Sequence, residues 1–211
     1  MVKQLWWIGV ACASFSVWAQ ADGASRPVMK VGDVAVYAVE QRTDRRSFDE
    51  TVTVTSVDQT HIKSKNLRPN RNPPEIESVL TLDLATVVSG ASGTRFDPPS
   101  AGFKFPLVVG DAWKSSFVGE APNNSKSKID LDVKVVAREK LKTPAGEFDS
   151  FKIESEGWIN GVTWSGAIRM SEVRWYAPAI GRVVKTEYKD FRGGQLWSHT
   201  VSELKSFTPA P

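Results

Sequence analysis

Few residues in this chain have the type and spacing for chemistry. Two histidines are present, His61 and His199, far apart in sequence. His199 shares strand parity with Trp197 and Val201, so it reads either as a general base or as a core histidine with one hydrogen-bonded nitrogen. His61 sits in a polar segment and reads as surface. Cys12 is the only cysteine, and two distant histidines do not make a transition-metal site, so no metal is expected. Gly90-Ala91-Ser92-Gly93-Thr94 comes closest to a nucleophile elbow, but it lacks the final glycine and the strand–turn–helix setting. Glu154 with Glu156, and Asp130 with Asp132, place carboxylates on one strand face. Glycoside hydrolysis needs two carboxyls about 5 to 10 Å apart across a cleft. Lys134, Lys152 and Arg169 nearby favour cross-strand ion pairs instead. No phosphate loop and no calcium loop occur, so no cofactor is expected.

The aromatics are the other candidates. Five of the eight tryptophans lie beyond residue 21: Trp113, Trp158, Trp164, Trp175 and Trp197. Such side chains fill ordinary cores, or line an apolar ligand cavity. As ligand-binding residues the sequence offers Trp164, Trp197, His199, Trp175 and Tyr176.

These residues need strands to position them. Val52 and Val54 alternate with threonines; Ile129, Leu131, Val133 and Val135 alternate with Asp130, Asp132 and Lys134. Phe151 and Ile153, and then Val184, Thr186 and Tyr188, alternate with charged residues. Apolar residues at every second position predict antiparallel strands with one wet face. Asn160-Gly161 and Gly193-Gly194 read as two-residue hairpin turns. Pro144-Ala145-Gly146 and Pro178-Ala179-Ile180-Gly181 mark further reversals. The alternation changes phase between Met170 and Val173, which predicts a bulge near Ser171-Glu172. Asn66 to Pro74 reads as an exposed loop, and Asp97 to Gly102, with Pro98-Pro99, as a connection. Glu75 to Val88 predicts a strand or two, with a short helix allowed around Leu82–Val88. The fold expected is all-β: a curved antiparallel sheet, half-barrel or sandwich, closing into a barrel if the strands run long.

Residues 1–21 read as a signal peptide. Lys3 supplies the positive start, Leu5–Val17 the apolar stretch, and Ala19-Gln20-Ala21 the cleavage site. Gly9 stands three places before Cys12, where lipidation would need a residue like leucine. Residues 22–211 then form one exported β domain, periplasmic or secreted, with no transmembrane segment in the mature chain. Its 26 basic and 24 acidic residues are interspersed, and no basic stripe points to nucleic acid. Asp22–Lys30 and Thr208–Pro211 read as disordered ends. Val31-Gly32-Asp33 and Val109-Gly110-Asp111 each precede a strand-like segment, so two related β units are expected, about 28–100 and 101–208.

At Val109-Gly110-Asp111-x-Trp113, Thr143-Pro144-Ala145-Gly146-Glu147-Phe148-Asp149 and Trp175-Tyr176-Ala177-Pro178-x-x-Gly181-Arg182-Val183 the chain resembles a group of uncharacterised exported bacterial β proteins. More distantly, it looks like the half-barrel carriers of lipids and lipoproteins in the bacterial envelope. The resemblance implies an exported β domain and supplies no catalytic residue. In the N-terminal copy Val34-Ala35 follows Asp33 where an aromatic would stand. Three functional classes follow. The first is a non-enzymatic envelope protein binding a lipid or other apolar or amphipathic ligand in its curved sheet. The second is an interaction module docking onto another envelope protein, and the third is a hydrolase.

Overall fold

The computed structural model describes residues 23–211. Residues 1–21, read above as a signal peptide with cleavage after Ala21, and Cys12 within them lie outside the described residues. Twelve strands follow one another: β1 (Val34–Gln41), β2 (Arg46–Val57), β3 (His61–Leu67), β4 (Glu75–Thr81), β5 (Thr86–Val88) and β6 (Arg95–Ser100), then β7 (Ala112–Glu120), β8 (Lys126–Thr143), β9 (Gly146–Gly161), β10 (Ala167–Ala177), β11 (Arg182–Arg192) and β12 (Gln195–Thr208). Each pairs antiparallel with its neighbour in the chain, and β12 returns to pair with β1, closing a barrel. The all-β expectation holds, in its closed form.

Directly opposed residues on neighbouring strands share a face. The inner face is therefore traced from Phe151 and Ile153 through Arg174 and Tyr176 of β10 to Thr186 and Val183 of β11. It continues through Ser202 of β12 to Val39 and Phe48 on β1 and β2. The larger core cluster lies on this face and includes Val54, Ile62, Phe117, Ile129, Leu131, Val133, Val135 and Met170. Between β6 and β7, residues 101–107 turn into it. Phe103 and Phe105 stack at 5.9 Å and both meet the Tyr176 ring edge-on. Leu107, fully buried, exchanges backbone hydrogen bonds with Ala24. This plug fills the barrel at the end where the β8–β9 and β10–β11 turns lie.

A second cluster, which includes Trp175, Ala177, Val184 and Leu204, covers the outward-facing Trp175 and Ala177. Leu141, Ala145 and Phe148, at the tip of the long β8–β9 hairpin, pack against it, and Ala145 N–H donates to Leu204 O at 3.1 Å. Trp175 and Tyr176, adjacent and opposite-facing, are both buried because the sheet is covered on both sides here.

Several local expectations are corrected. No helix forms over 82–88; Leu84 takes φ 60° in a tight turn, its N–H bonded to Thr81 O, and β5 follows. Residues 97–100 belong to β6, whose prolines fit because β6 meets β7 only over Arg95–Asp97. Asn160-Gly161 ends β9 and the turn spans 162–166. Gly161 is needed because a Cβ there would meet Trp164 O at 2.0 Å. No bulge forms at Ser171-Glu172; the register of β10 with β11 shifts at Trp175/Tyr176, where β11 carries the extra residue Val184. The segments read as disordered ends are pinned: Ala24 is buried, and Ala210 N–H donates to Asp33 Oδ1 at 2.9 Å. Gly193 and Gly194 both take positive φ, as a two-residue hairpin turn requires.

Candidate functional site

The five sequence candidates do not line one cavity. Tyr176 is fully buried within the aromatic plug, and burial pushes its phenol up to about 12. Trp175 faces the other way. Lys185 and Lys152 stand over its ring at 5.5 and 5.9 Å, and its Nε1–H donates to Glu139 at 2.7 Å. Trp164 sits in the β9–β10 turn and donates to Ser127 Oγ at 3.1 Å. Trp197 is 60% exposed beside the β11–β12 turn. His199 lies on the outer face, 3.0 Å from Glu187 Oε1. Glu187 also holds Lys189 at 2.7 Å, and that hydrogen bond is the main reason its carboxyl titrates below the ordinary glutamate value. The imidazole thus joins Glu187 and Lys189 in an outer polar cluster.

The paired carboxylates also face outward. Asp132 holds Lys114 at 2.7 Å, Asp130 accepts from Ser116 at 2.6 Å, and Glu154 holds Lys152 at 2.7 Å. Ser92 donates to Thr94 Oγ1 at 2.8 Å within an exposed turn. The carbonyls of Gly90 and Ala91 in that turn are held by Arg71.

The inner face offers a different surface at the end opposite the plug. A cavity of about 450 Å³ is lined by Gln41, Arg46, Ser47, Phe48, Arg68, Asn70 and Arg71. Gln41 and Arg46 oppose each other across β1 and β2, as do Val39 and Phe48, so Gln41, Arg46 and Phe48 line the inner wall. The Arg68 guanidinium lies 5.1 Å from the Phe48 ring centroid. Its Nη2 donates to Glu50 Oε2 at 3.0 Å while Nε stands 2.9 Å from Glu50 Oε1. Glu50 also accepts from Asn66 at 3.4 Å, so the arginine is held from behind and its aromatic contact is fixed. Arg71 Nη2 donates to Asn66 O at 2.6 Å, and its Nη1 bonds to Gly90 O and Ala91 O staple the β3–β4 turn to the β5–β6 turn. Burial first, and the like charge of Arg68 second, lower its pKa from the ordinary arginine value. The cavity therefore combines one aromatic wall, two amides and three guanidiniums, with Arg46 paired to Asp44, Arg68 to Glu50 and Arg71 to backbone carbonyls; such a set can meet an anionic group with an apolar portion by exchanging these partners.

A second depression, about 470 Å³, lies on the outer face of β12, β1 and β2. Its acids are already matched: Glu40 with Arg42, Asp49 with Lys205 and Glu203 with Lys185. Across the barrel from Phe48, the inner wall carries Tyr188 and the buried Asp190, whose carboxyl burial pushes above the ordinary range.

The sequence does not single out Arg46, Phe48, Arg68 or Arg71. The only signal is the Arg/Asn/Pro-rich run Asn66–Pro74, whose partner Phe48 lies a strand away.

The fold is similar to two solved structures. One is a protein from Bacteroides fragilis described as exported and as having a YmcC-like fold. It is 17% identical, with a TM-score of 0.57, over 88% of this chain and 99% of that one. The other, from Parabacteroides distasonis, is described as a lipoprotein. It is 15% identical, with a TM-score of 0.55, over 89% of this chain and 100% of that one. No curated protein matches the sequence. A family model matches residues 93–201, just over half of the chain and including all three motifs read above except their N-terminal counterpart, and the chain belongs to the DUF3108-like family.

Proposed function

We propose that this is an exported, non-enzymatic binding protein that takes an amphipathic ligand with an anionic head at the open mouth of its barrel. The observation that carries the reading is the cavity of about 450 Å³, with Arg68 held over Phe48 and Arg46 and Arg71 beside it. Its volume is within the range of small-molecule sites, roughly 300 to 1,000 Å³. The plug at the far end limits how deep a ligand reaches, so the head and the first part of the apolar chain are what the mouth can hold. Export is supported by the signal-like residues 1–21 and by the words used of the two similar structures.

The outer wall argues for an aqueous setting and against a lipid-embedded barrel. Lys114, Asp132, Lys152 and Glu154 stand on it at mid-height. A basic residue facing lipid at the bilayer midplane costs about 2–4 kcal/mol, and a spanning barrel needs an uninterrupted apolar band.

The test is native mass spectrometry of the protein recovered from its own cell envelope. The expected result is an added mass that denaturation releases and that Arg46→Glu, a change at an exposed residue, no longer retains. A bare mass in the unaltered protein overturns the reading.

A further inference from the structure

We propose that the outer rim of the barrel at the β9–β10 and β11–β12 turns seats on an anionic lipid bilayer surface. The argument starts from register. Trp158 of β9 opposes Arg169 of β10, Arg169 opposes Phe191 of β11, and Phe191 opposes Leu196 of β12. These four side chains form one row across four adjacent strands, about 15 Å long at the usual strand spacing. Trp158 is 50% exposed and Leu196 46%; beside the row, Val162 and Trp197 are 58% and 60% exposed.

Arg169 in the row and Arg192 beside it are placed near rings, Arg192 also standing 4.0 Å from Asp190. Arg169 lies 5.1 Å from the Phe191 centroid, and Arg192 lies 4.6 Å from that of Trp197. The β1–β2 turn adds exposed Arg45 next to β12, held there by the Arg42 N–H bond to His199 O at 2.8 Å. A guanidinium held against an aromatic ring can still donate N–H bonds to phosphate oxygens from its free edge. Tryptophan prefers the level of lipid headgroups, with its ring in the apolar boundary and its N–H in water.

Depth decides between a seat on the surface and insertion. The next outer row toward the middle of the barrel is Glu156, Ser171, Lys189 and His199, again directly opposed across β9 to β12. The apolar band is therefore one residue deep. Its sideways extent ends at Asp130 of β8, which opposes Trp158. A row of rings and arginines at one height, backed by a polar row, matches a plane. It offers no concavity in which a protein partner's anchor residue would lodge. Attraction to anionic lipid would come from Arg45, Arg169 and Arg192, and apolar contact from the exposed rings.

The experiment is co-sedimentation of the purified protein with vesicles of phosphatidylcholine alone or mixed with phosphatidylglycerol. The wild type is compared with Trp158→Ser/Leu196→Ser/Trp197→Ser and with Arg169→Gln/Arg192→Gln. All three proteins share one N-terminus, so any binding by residues 1–21 cancels. The expected result is wild-type binding to the mixed vesicles, on the order of tenfold weaker or more for the triple variant. For the double variant a loss is expected on mixed vesicles only. The double variant removes charge without removing rings, so it keeps the test open if the triple variant misfolds. Equal partition of wild type and both variants overturns the proposal. A wild type that ignores vesicles but forms a dimer abolished by the triple variant also overturns it, and assigns the row to a second copy. The proposal stands apart from the ligand at the mouth, since none of the substituted residues lines that cavity.

Discussion

The two Val-Gly-Asp segments invite a direct comparison. In the first, Gly32 N–H donates to Val54 O, Asp33 N–H to Lys30 O, and Val54 N–H to Asp33 O. In the second, Gly110 N–H donates to Val135 O, Asp111 N–H to Val108 O, and Val135 N–H to Asp111 O. The glycines take φ 95° and 100°. The backbone solution is the same twice. The aspartate side chains differ completely. Asp111 is exposed beside the entry to β7. Asp33 is buried, accepting from Lys30 N–H at 3.0 Å, Ala210 N–H at 2.9 Å and the Arg182 guanidinium at 2.9 Å. Arg182 also lies 5.1 Å from the Phe207 centroid. One turn is a local reversal. The other ties β1, β11 and the segment after β12 together where the barrel closes.

Replacing each aspartate by alanine should separate these roles most sharply. Asp33→Ala leaves a buried guanidinium without its carboxylate, and a loss of about 3–5 kcal/mol is expected in urea unfolding. Asp111→Ala should stay within about 0.5 kcal/mol. Equal effects would erase the distinction. The glycines should instead behave alike. At positive φ a Cβ is strained, so Gly32→Ala and Gly110→Ala should each cost about 1–2 kcal/mol, matching each other in thermal unfolding. The Cβ at Gly32 meets only Ala210, at 3.4 Å, an ordinary contact. A much larger loss at Gly32 would mean that the two turns differ in backbone as well.

The smallest effect is a pH slope. Burial raises the Asp33 pKa, but the Ala210 and Lys30 N–H groups and Arg182 outweigh it, and the carboxyl ends below its ordinary value. Its ionised form is thus preferred in the folded protein. That contribution is complete above the unfolded value of about 3.9 and is lost as pH falls through the lower folded value. Stability measured across the acid range should therefore fall more steeply in the wild type than in Asp33→Asn.

Much of the wall was legible because strands with one wet face print their alternation in the chain: Ile129 to Val135 and Phe151 to Ile153 land on the inner face as their periods require. The alternation fails as a guide where both faces are dry. At Trp175-Tyr176-Ala177 the hairpin tip covers the outside, so consecutive residues are all buried and no period survives. The prolines of β6 misled for a related reason: that strand needs few ladder bonds, and proline's missing N–H costs it little. The mouth and the rim were illegible because each is assembled sideways. Phe48 meets Arg68 from the next strand, and Trp158 joins Leu196 only through Arg169 and Phe191. Spacing along one strand carries no trace of register between strands.

Closure between β1 and β12 also fixes when the molecule can be finished. Asp33 and Ala210 lie 177 positions apart, so the seam joins the two most distant parts of the described chain. Every other strand finds its neighbour nearby, but β1 presents an unpaired edge until β12 arrives. A polypeptide emerging residue by residue would therefore remain adhesive along that edge through almost its whole appearance, and shielding it in the interval falls to helpers that hold open strands apart.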